Sequence, residues 1–344
     1  MYRFTCDYEE GCLPEILRLM EQTNYVQTPG YGMDEYCEKA RSLIRGFCDA
    51  PHADVHFLVG GTQANLTAIS AFLRPWQGVL SATTGHINVH ETGAIEATGH
   101  KVLALESPDG KVSAKALKAA LDAHFGDPHS EHTVQPGMLY ISFPTENGQL
   151  YSLSELTELS KVCRKAGIPL YLDGARLSYG LTSDACDLTA KDIARLCDAF
   201  YLGGTKCGAL FGEALVITSE ALKKDFRYMI KQRGGMLAKG RMLGLQFIGL
   251  MEEGRYLSAA RKANRQALAI RAAFEEKGIP FLIPSPTNQQ FPILTDGQLA
   301  ALAPHFSWDL WEKMPDGRNA VRFCTSWATK DEAVEALVSA IKEL

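Results

Sequence analysis

Val55-His56-Phe57-Leu58-Val59-Gly60-Gly61-Thr62-Gln63-Ala64-Asn65 opens on an apolar, β-prone run, turns at two glycines and continues as a helix-like segment from Thr62 to Phe72. Strand, glycine turn and helix in immediate succession make one βα unit. The rhythm recurs. Val102-Leu103-Ala104-Leu105, Met138-Leu139-Tyr140-Ile141-Ser142, Leu170-Tyr171-Leu172 and Ala199-Phe200-Tyr201-Leu202 are short β-rich runs bounded by polar residues, glycine or proline. Amphipathic, helix-like segments separate them between residues 35 and 220. This alternation predicts an α/β sheet covered on both faces. Open sheets of this kind bind ligands beyond the carboxyl ends of their strands, so the functional residues are expected there.

Outward from this region the pattern changes. After Leu250 come a long polar helix (Tyr256 to Lys277), a proline-rich break (Pro280 to Pro286), two strand candidates and a C-terminal helix over Lys330 to Leu344. We expect an N-terminal arm over residues 1–30, a large domain over 31–250 and a smaller α+β domain over 251–344. The arm shows no strong periodicity, and the chain has no internal repeat or low-complexity tract. The 344 residues are 46% hydrophobic and 22% charged, a balance that supports a large folded core. Thirty-five basic against 40 acidic residues leave a net charge of -5, which argues against nucleic acid as a partner. No apolar run approaches the ~20 residues of a membrane span, and Met1 to Asp7 has no apolar signal core, so a cytoplasmic location is expected. The 9 cysteines are scattered without a CxxC pair, which reads as reduced thiols acting as small core hydrophobes.

Four short segments can carry chemistry. Tyr201-Leu202-Gly203-Gly204-Thr205-Lys206-Cys207-Gly208 delivers one lysine from a buried strand into a glycine turn. Desolvation there lowers the amine pKa, as a Schiff base with a carbonyl or with pyridoxal phosphate requires; the alternative is a surface lysine after a strand. Tyr171-Leu172-Asp173-Gly174-Ala175-Arg176 sets a carboxylate at a strand end, where it can pair with a protonated pyridine nitrogen or simply cap a helix. Gly60-Gly61-Thr62 opens a helix whose free amides and hydroxyl can hold a phosphate. His86 and His90, four apart beside Glu91, suggest either zinc or an imidazole stacked on a flat ring; the order is not H-E-x-x-H and no third ligand is evident. A dinucleotide fingerprint, a nucleophile elbow and a Walker lysine are absent.

Taken in order, Gly-Gly-Thr, His86-x4-Glu91-x-Gly93, Asp173-Gly174-Ala175-Arg176-Leu177 and Gly203-Gly204-Thr205-Lys206 resemble the low-specificity L-threonine aldolases. These belong to the beta-eliminating lyase group of fold type I pyridoxal-phosphate enzymes. The resemblance runs from Asp7 and Tyr31-Gly32-Met33-Asp34 to Arg322. It implies an aspartate aminotransferase-like large domain with a mostly parallel seven-stranded sheet and a small α+β C-terminal domain. It further implies that Lys206 forms the Schiff base with pyridoxal 5'-phosphate, Asp173 pairs with the ring nitrogen and His86 stacks on the ring. Gly61, Thr62 and Thr205 would hold the phosphate, with Arg233 reaching that of a neighbouring subunit. Arg176 and Arg322 would clamp the carboxylate of an amino-acid substrate. The activity implied is cleavage of L-threonine or L-allo-threonine to glycine and acetaldehyde by a homodimer or homotetramer, with no metal. An aminotransferase or another lyase acting on a different amino acid is the alternative. The base for the β-hydroxyl proton is left open among His86, a water it holds and Glu91. The sequence departs from the family pattern at Cys6, where a serine is usual, at Pro144-Thr145-Glu146-Asn147-Gly148, which lacks a second histidine, and at Ser326; Cys6, Tyr31 and Thr145 are accordingly candidates for substrate contact.

Overall fold

The computed structural model describes residues 1–344. Seven strands form the large sheet: β1 (Asp54–Leu58), β2 (Gln77–Ala82), β3 (Val102–Leu105), β4 (Gln135–Ser142), β5 (Leu170–Asp173), β6 (Ala199–Gly203) and β7 (Glu213–Ile217). Their spatial order is β1-β7-β6-β5-β4-β2-β3, and every pairing from β6 to β3 is parallel, with β7 antiparallel to both neighbours. The expected mostly parallel seven-stranded α/β sheet is therefore present. Two of its strands, β2 and β7, lie outside the five β-rich runs of the sequence, since Gln77-Gly78-Val79-Leu80-Ser81-Ala82 and Glu213-Ala214-Leu215-Val216-Ile217 each begin on a polar residue and carry a short apolar stretch.

Both faces of the sheet are covered, which is why its strands read as nearly unbroken apolar runs. Leu170, Leu172, Phe200 and Leu202 enter a core cluster of 44 buried residues on one face; Tyr140, Tyr171 and Tyr201 enter one of 18 on the other. Glycine lets the turns after β5 and β6 close on each other. A side chain at Gly174 would collide with the carbonyl of Tyr201, and one at Gly203 with the carbonyl of Ala175. The Gly203 amide instead donates to the Gly174 carbonyl at 2.9 Å. The Asp-Gly and Gly-Gly motifs are thus two halves of one backbone contact, and that contact brings the turns carrying Asp173 and Lys206 to one cavity.

The N-terminal arm has more order than its sequence suggests. Tyr2–Arg3 pairs in parallel with Phe306–Ser307, and helix α1 (Pro14–Thr23) starts at a proline, whose missing amide is harmless in a first turn. Helix α2 (Glu35–Phe47) is capped by Asp34, whose side chain accepts from the Cys37 amide at 2.8 Å. Helix α3 (Gly61–Phe72) follows β1, and α4 (His86–Val89) follows β2. Helix α5 (Arg241–Met251) lies across α1 and α2, and α6 (Arg255–Glu276) leads into a second sheet. That sheet is antiparallel and comprises β8 (Gln289–Gln290), β9 (Ile293–Leu294), β10 (Asp309–Lys313) and β11 (Asn319–Cys324). Helices α6 and α7 (Asp331–Lys342) pack with it around a core of 14 residues that includes Phe4 from the arm. No helix is long and apolar enough to cross a membrane.

Candidate active site

A cavity of about 350 Å³ opens at the carboxyl ends of β1, β5 and β6 and is lined by Gly61, Thr62, His86, Asp173, Arg176, Thr205 and Lys206 among others. Its volume falls in the range of small-molecule sites. It shares Tyr8, His86, Glu146, Arg176 and Lys206 with an adjoining cleft of about 290 Å³, to which the second sheet contributes Asp309, Trp311 and Arg322. The two spaces form one site with a large-sheet wall and a small-sheet wall.

Asp173 ends β5 and is held by four donors. The hydroxyls of Tyr140 and Tyr201 donate to it at 2.6 and 2.5 Å, the Asn65 amide at 3.0 Å and the Ala175 backbone N–H at 3.0 Å. Burial by itself would raise its pKa, but the charge of His86 and the bonds from Tyr140, Tyr201 and Asn65 outweigh burial and hold the carboxyl low. Asp173 is therefore an ionised carboxylate aimed into a cavity. Tyr140, Tyr171 and Tyr201 stand on three adjacent strands of one sheet face, and Tyr171 donates to Asn65 at 3.1 Å, which orients that amide.

Asn65 links Asp173 to the histidine. Its amide also donates to Glu91 Oε1 at 2.7 Å, and the same oxygen lies 2.7 Å from His86 Nδ1. Burial lowers the His86 pKa, but the Glu91 hydrogen bond and the charges of Asp173 and Glu91 raise it further, so the net shift is upward. Because Nδ1 bonds to a carboxylate, the neutral ring carries its proton there and Nε2 is the free acceptor. Glu146 fixes α4 from below, its Oε1 accepting from the His86 backbone N–H at 2.9 Å and from Ser142 at 2.6 Å.

Lys206 sits in the turn after β6 with its amine 5.8 Å from the centre of the Tyr8 ring. Its backbone carbonyl accepts from Tyr179 at 2.7 Å. Burial, then the Arg176 charge, lowers the amine pKa. Gly60 caps α3 with extended backbone and no side-chain bond, so the first amides of that helix and the Thr62 hydroxyl are available to an anion.

Two arginines face the site. Arg176 grips Asp7 in bidentate fashion, Nε to Oδ2 at 2.7 Å and Nη2 to Oδ1 at 3.0 Å. Arg322 donates to Asp309 at 3.0 Å, Gln289 at 3.1 Å and the Thr5 carbonyl at 3.0 Å, lies 5.3 Å over Trp311, and has a buried Nε without a partner.

Gly61, Thr62, His86, Asp173, Arg176, Thr205 and Lys206 thus share the cavity, and Arg322 the cleft beside it. Four candidates line neither. Cys6 lies half-buried between two residues that touch the arginines, Thr5 and Asp7. Thr145 is buried, its hydroxyl accepting from the Gln149 amide at 3.0 Å. Tyr31 takes a left-handed conformation (φ 61) beside Arg227 in a separate recess. Arg233 follows the helix Phe226–Gln232, its carbonyl accepting from Gln63 and its Nε buried without a partner. Asn65, Tyr140, Tyr201, Glu146, Glu213 and Tyr8 were not anticipated individually. No group of three or more His, Cys, Asp or Glu side chains is arranged to hold a metal ion.

A partly desolvated lysine with no ion-pair partner, a buried carboxylate and an uncapped helix N-terminus around one cavity suit the amine-reactive carbon, ring nitrogen and phosphate of pyridoxal phosphate. Fold and site together define a fold type I pyridoxal-phosphate enzyme. The chain belongs to the beta-eliminating lyase family, whose family model matches residues 12–296. It is 29% identical to a low specificity L-threonine aldolase of Pseudomonas sp. (strain NCIMB 10558), over 99% of this chain and 97% of that one. The solved structure of Leishmania major threonine aldolase superposes with a TM-score of 0.97 at 45% identity, covering 100% of this chain and 99% of the other. Thermus thermophilus aspartate aminotransferase shares the fold, with a TM-score of 0.72 at 14% identity over 100% of this chain and 91% of that one.

Proposed function

We propose that the chain is a carbon–carbon lyase that cleaves a β-hydroxy-L-amino acid, L-threonine or L-allo-threonine, to glycine and an aldehyde. The observation that carries the reading is His86 in the Lys206 cavity, with Nδ1 committed to Glu91 and Nε2 free to accept a proton, in a chain alike over its whole length to a threonine aldolase. Bound pyridoxal phosphate supplies an electron sink for the pair released from Cα–Cβ. Lys206 would hold its carbonyl carbon and Asp173 a proton at its ring nitrogen, while Gly61 and Thr62 would receive the phosphate; Thr205 stands beside Lys206 with its hydroxyl donating to Glu213 and its amide to the Gly212 carbonyl.

The remaining work belongs to side chains. Arg176 and Arg322 fix the substrate carboxylate, and so orient the bond that breaks. His86 Nε2 takes the β-hydroxyl proton. Glu91, fully buried and already accepting from Asn65 and His86, orients the imidazole and does not reach the substrate. Lys206 carries protons once its amine is released.

We further infer that the protein works in the cytoplasm as a homodimer or homotetramer. Tyr25, Met33 and Tyr228 are 95%, 63% and 77% exposed, near a Tyr31 and an Arg233 that serve no site within one chain. The proposal keeps the arm, large domain and small domain at 1–30, 31–250 and 251–344. Aldehyde released from each threonine isomer by the cofactor-loaded protein, followed with a coupled reductase, should match glycine mole for mole and vanish in Lys206→Ala. Release of a keto acid, or of nothing, would overturn the reading.

A further inference from the structure

Glu213 has no role in the mechanism above, yet it lies at the lysine. It opens β7 opposite Gly203, is 4% exposed and lines the same cavity as Lys206. Both of its oxygens are tied to the turn that presents the lysine. Oε2 accepts from the Gly204 N–H at 3.2 Å and Oε1 from the Thr205 hydroxyl at 3.1 Å, while Thr205 accepts from the Gly212 N–H at 3.0 Å. These partners are neutral. A buried carboxyl without a bonded cation therefore faces the same cavity as a partly buried amine without a bonded anion. Such a group is costly as a bare charge, and the pair can relieve both by sharing a proton.

We propose that Glu213 is a positioning residue for Lys206: it braces the turn from Gly203 to Gly208 and exchanges one proton with the lysine across their cavity. When Lys206 becomes the free amine, an Nζ–H bond breaks and, relayed by water in the cavity that both groups line, an O–H bond forms on Glu213. The ammonium–carboxylate pair becomes an amine–acid pair with no change in total charge and no proton lost to solvent. The inference rests on Lys206 being the cofactor-anchoring residue. Burial pushes the Glu213 carboxyl up to about 8, while burial, then the Arg176 charge, brings the amine down, so the two approach each other. The titratable groups facing Glu213 are Lys206 and Cys207 on the turn, Asp173 and Tyr171 on β5, Tyr201 on β6 and Tyr256 on α6. Of these only Lys206 is cationic.

The test uses cofactor uptake, which needs no substrate. The rate at which apoprotein takes up pyridoxal phosphate is read from visible absorption as a function of pH in wild type, Glu213→Gln and Glu213→Asp. A carboxylate near the amine favours the ammonium, so its removal should move the acid limb of the Glu213→Gln profile down by about one unit, a tenfold gain in free amine at a fixed acidic pH. Glu213→Asp should keep the wild-type limb. A limb unmoved in a folded Glu213→Gln protein would mean that Glu213 only braces the turn. Should Glu213→Gln not fold, infrared spectra of wild type and Glu213→Asp decide. A protonated-carboxyl band that titrates near pH 8 and shifts with the variant supports the proposal; its absence from wild type refutes it. A protein that shows the shifted limb but releases no aldehyde would leave this inference standing and remove the proposed reaction.

Discussion

Arg176, on the large-sheet wall of the cleft, and Arg322, on the small-sheet wall, are each paired with an aspartate, but in opposite ways. Asp7 is 0% exposed, bidentate to Arg176 and also bonded by Asn288 at 2.9 Å, whereas the Asp309 side chain is 48% exposed and meets Arg322 through one bond. The same contrast runs through the walls themselves. The large-sheet wall surrounds Asp173 and Arg176 with buried partners, and the small-sheet wall leaves Arg322 a buried Nε without any. One wall is pre-organised and keeps its contacts; the other has bonds it can exchange for a substrate carboxylate.

The largest break should come at Asp173. Asp173→Asn preserves the shape but removes the charge that holds a proton on the cofactor ring, and kcat should fall about a thousandfold with the cofactor still bound. A variant within tenfold of wild type in steady-state aldehyde release would show that the cage around Asp173 is structural.

Next is Asp7. Asp7→Asn leaves the Arg176 guanidinium without a counter-charge inside the protein, and urea unfolding should show a loss of about 3 kcal/mol. Burial opposes ionisation of Asp7, but the charge and hydrogen bonds of Arg176 outweigh it and bring its pKa to about 2. A folded value below the unfolded one means that the stabilisation is complete above about pH 4 and is lost as pH falls through about 2; Asp7→Asn should flatten that acid limb. No change in either quantity would place the two arginines in one class.

Glu91 sharpens the comparison within the large-sheet wall. Its bond raises the His86 pKa, and the base must be unprotonated, so the rate of wild type should rise with pH through a value above the ordinary 6.5. Glu91→Gln should move this limb down by about one unit in the pH profile of kcat/KM. An unmoved limb would assign the proton to another group.

The smallest effect is expected at Asp309. Substrate carboxylate must displace Asp309 from Arg322, so Asp309→Asn should lower KM two- to threefold, roughly the worth of an exposed pair, and leave kcat unchanged. A raised KM would mean that Asp309 supports Arg322 rather than competing for it.

The same division explains what could be read from the chain. The Asp-Gly-Ala-Arg and Gly-Gly-Thr-Lys motifs were legible because each packs its chemistry into one turn, where a strand end, a glycine and a polar residue are neighbours in sequence. The tyrosine cage was not. Tyr140, Tyr171 and Tyr201 each read as an ordinary strand residue, and only the pairing register Tyr140–Tyr171 and the parallel β5–β6 pairing bring their hydroxyls toward Asp173 and Asn65. Asn65 lies in the first βα unit, but a helix residue gives no sign that it will bridge two carboxylates. Glu213 was hidden with its strand, since β7 is antiparallel and breaks the βα rhythm. The arm reads as irregular because its one helix is short; Leu13, Ile16, Leu19 and Met20 do form an apolar stripe that packs on the large core, but it ends within ten residues. Arg322 and Asp309 came together through a β-bulge between Leu310 and Glu312, a register shift that sequence does not announce.

The most direct test of the account is where the cofactor attaches. Purified protein loaded with pyridoxal phosphate is reduced with borohydride, digested and mapped by mass spectrometry. The account predicts the reduced cofactor on Lys206 alone, and none on any lysine in Lys206→Ala. Stoichiometric attachment at another lysine, with aldehyde release from L-threonine intact in Lys206→Ala, would contradict it.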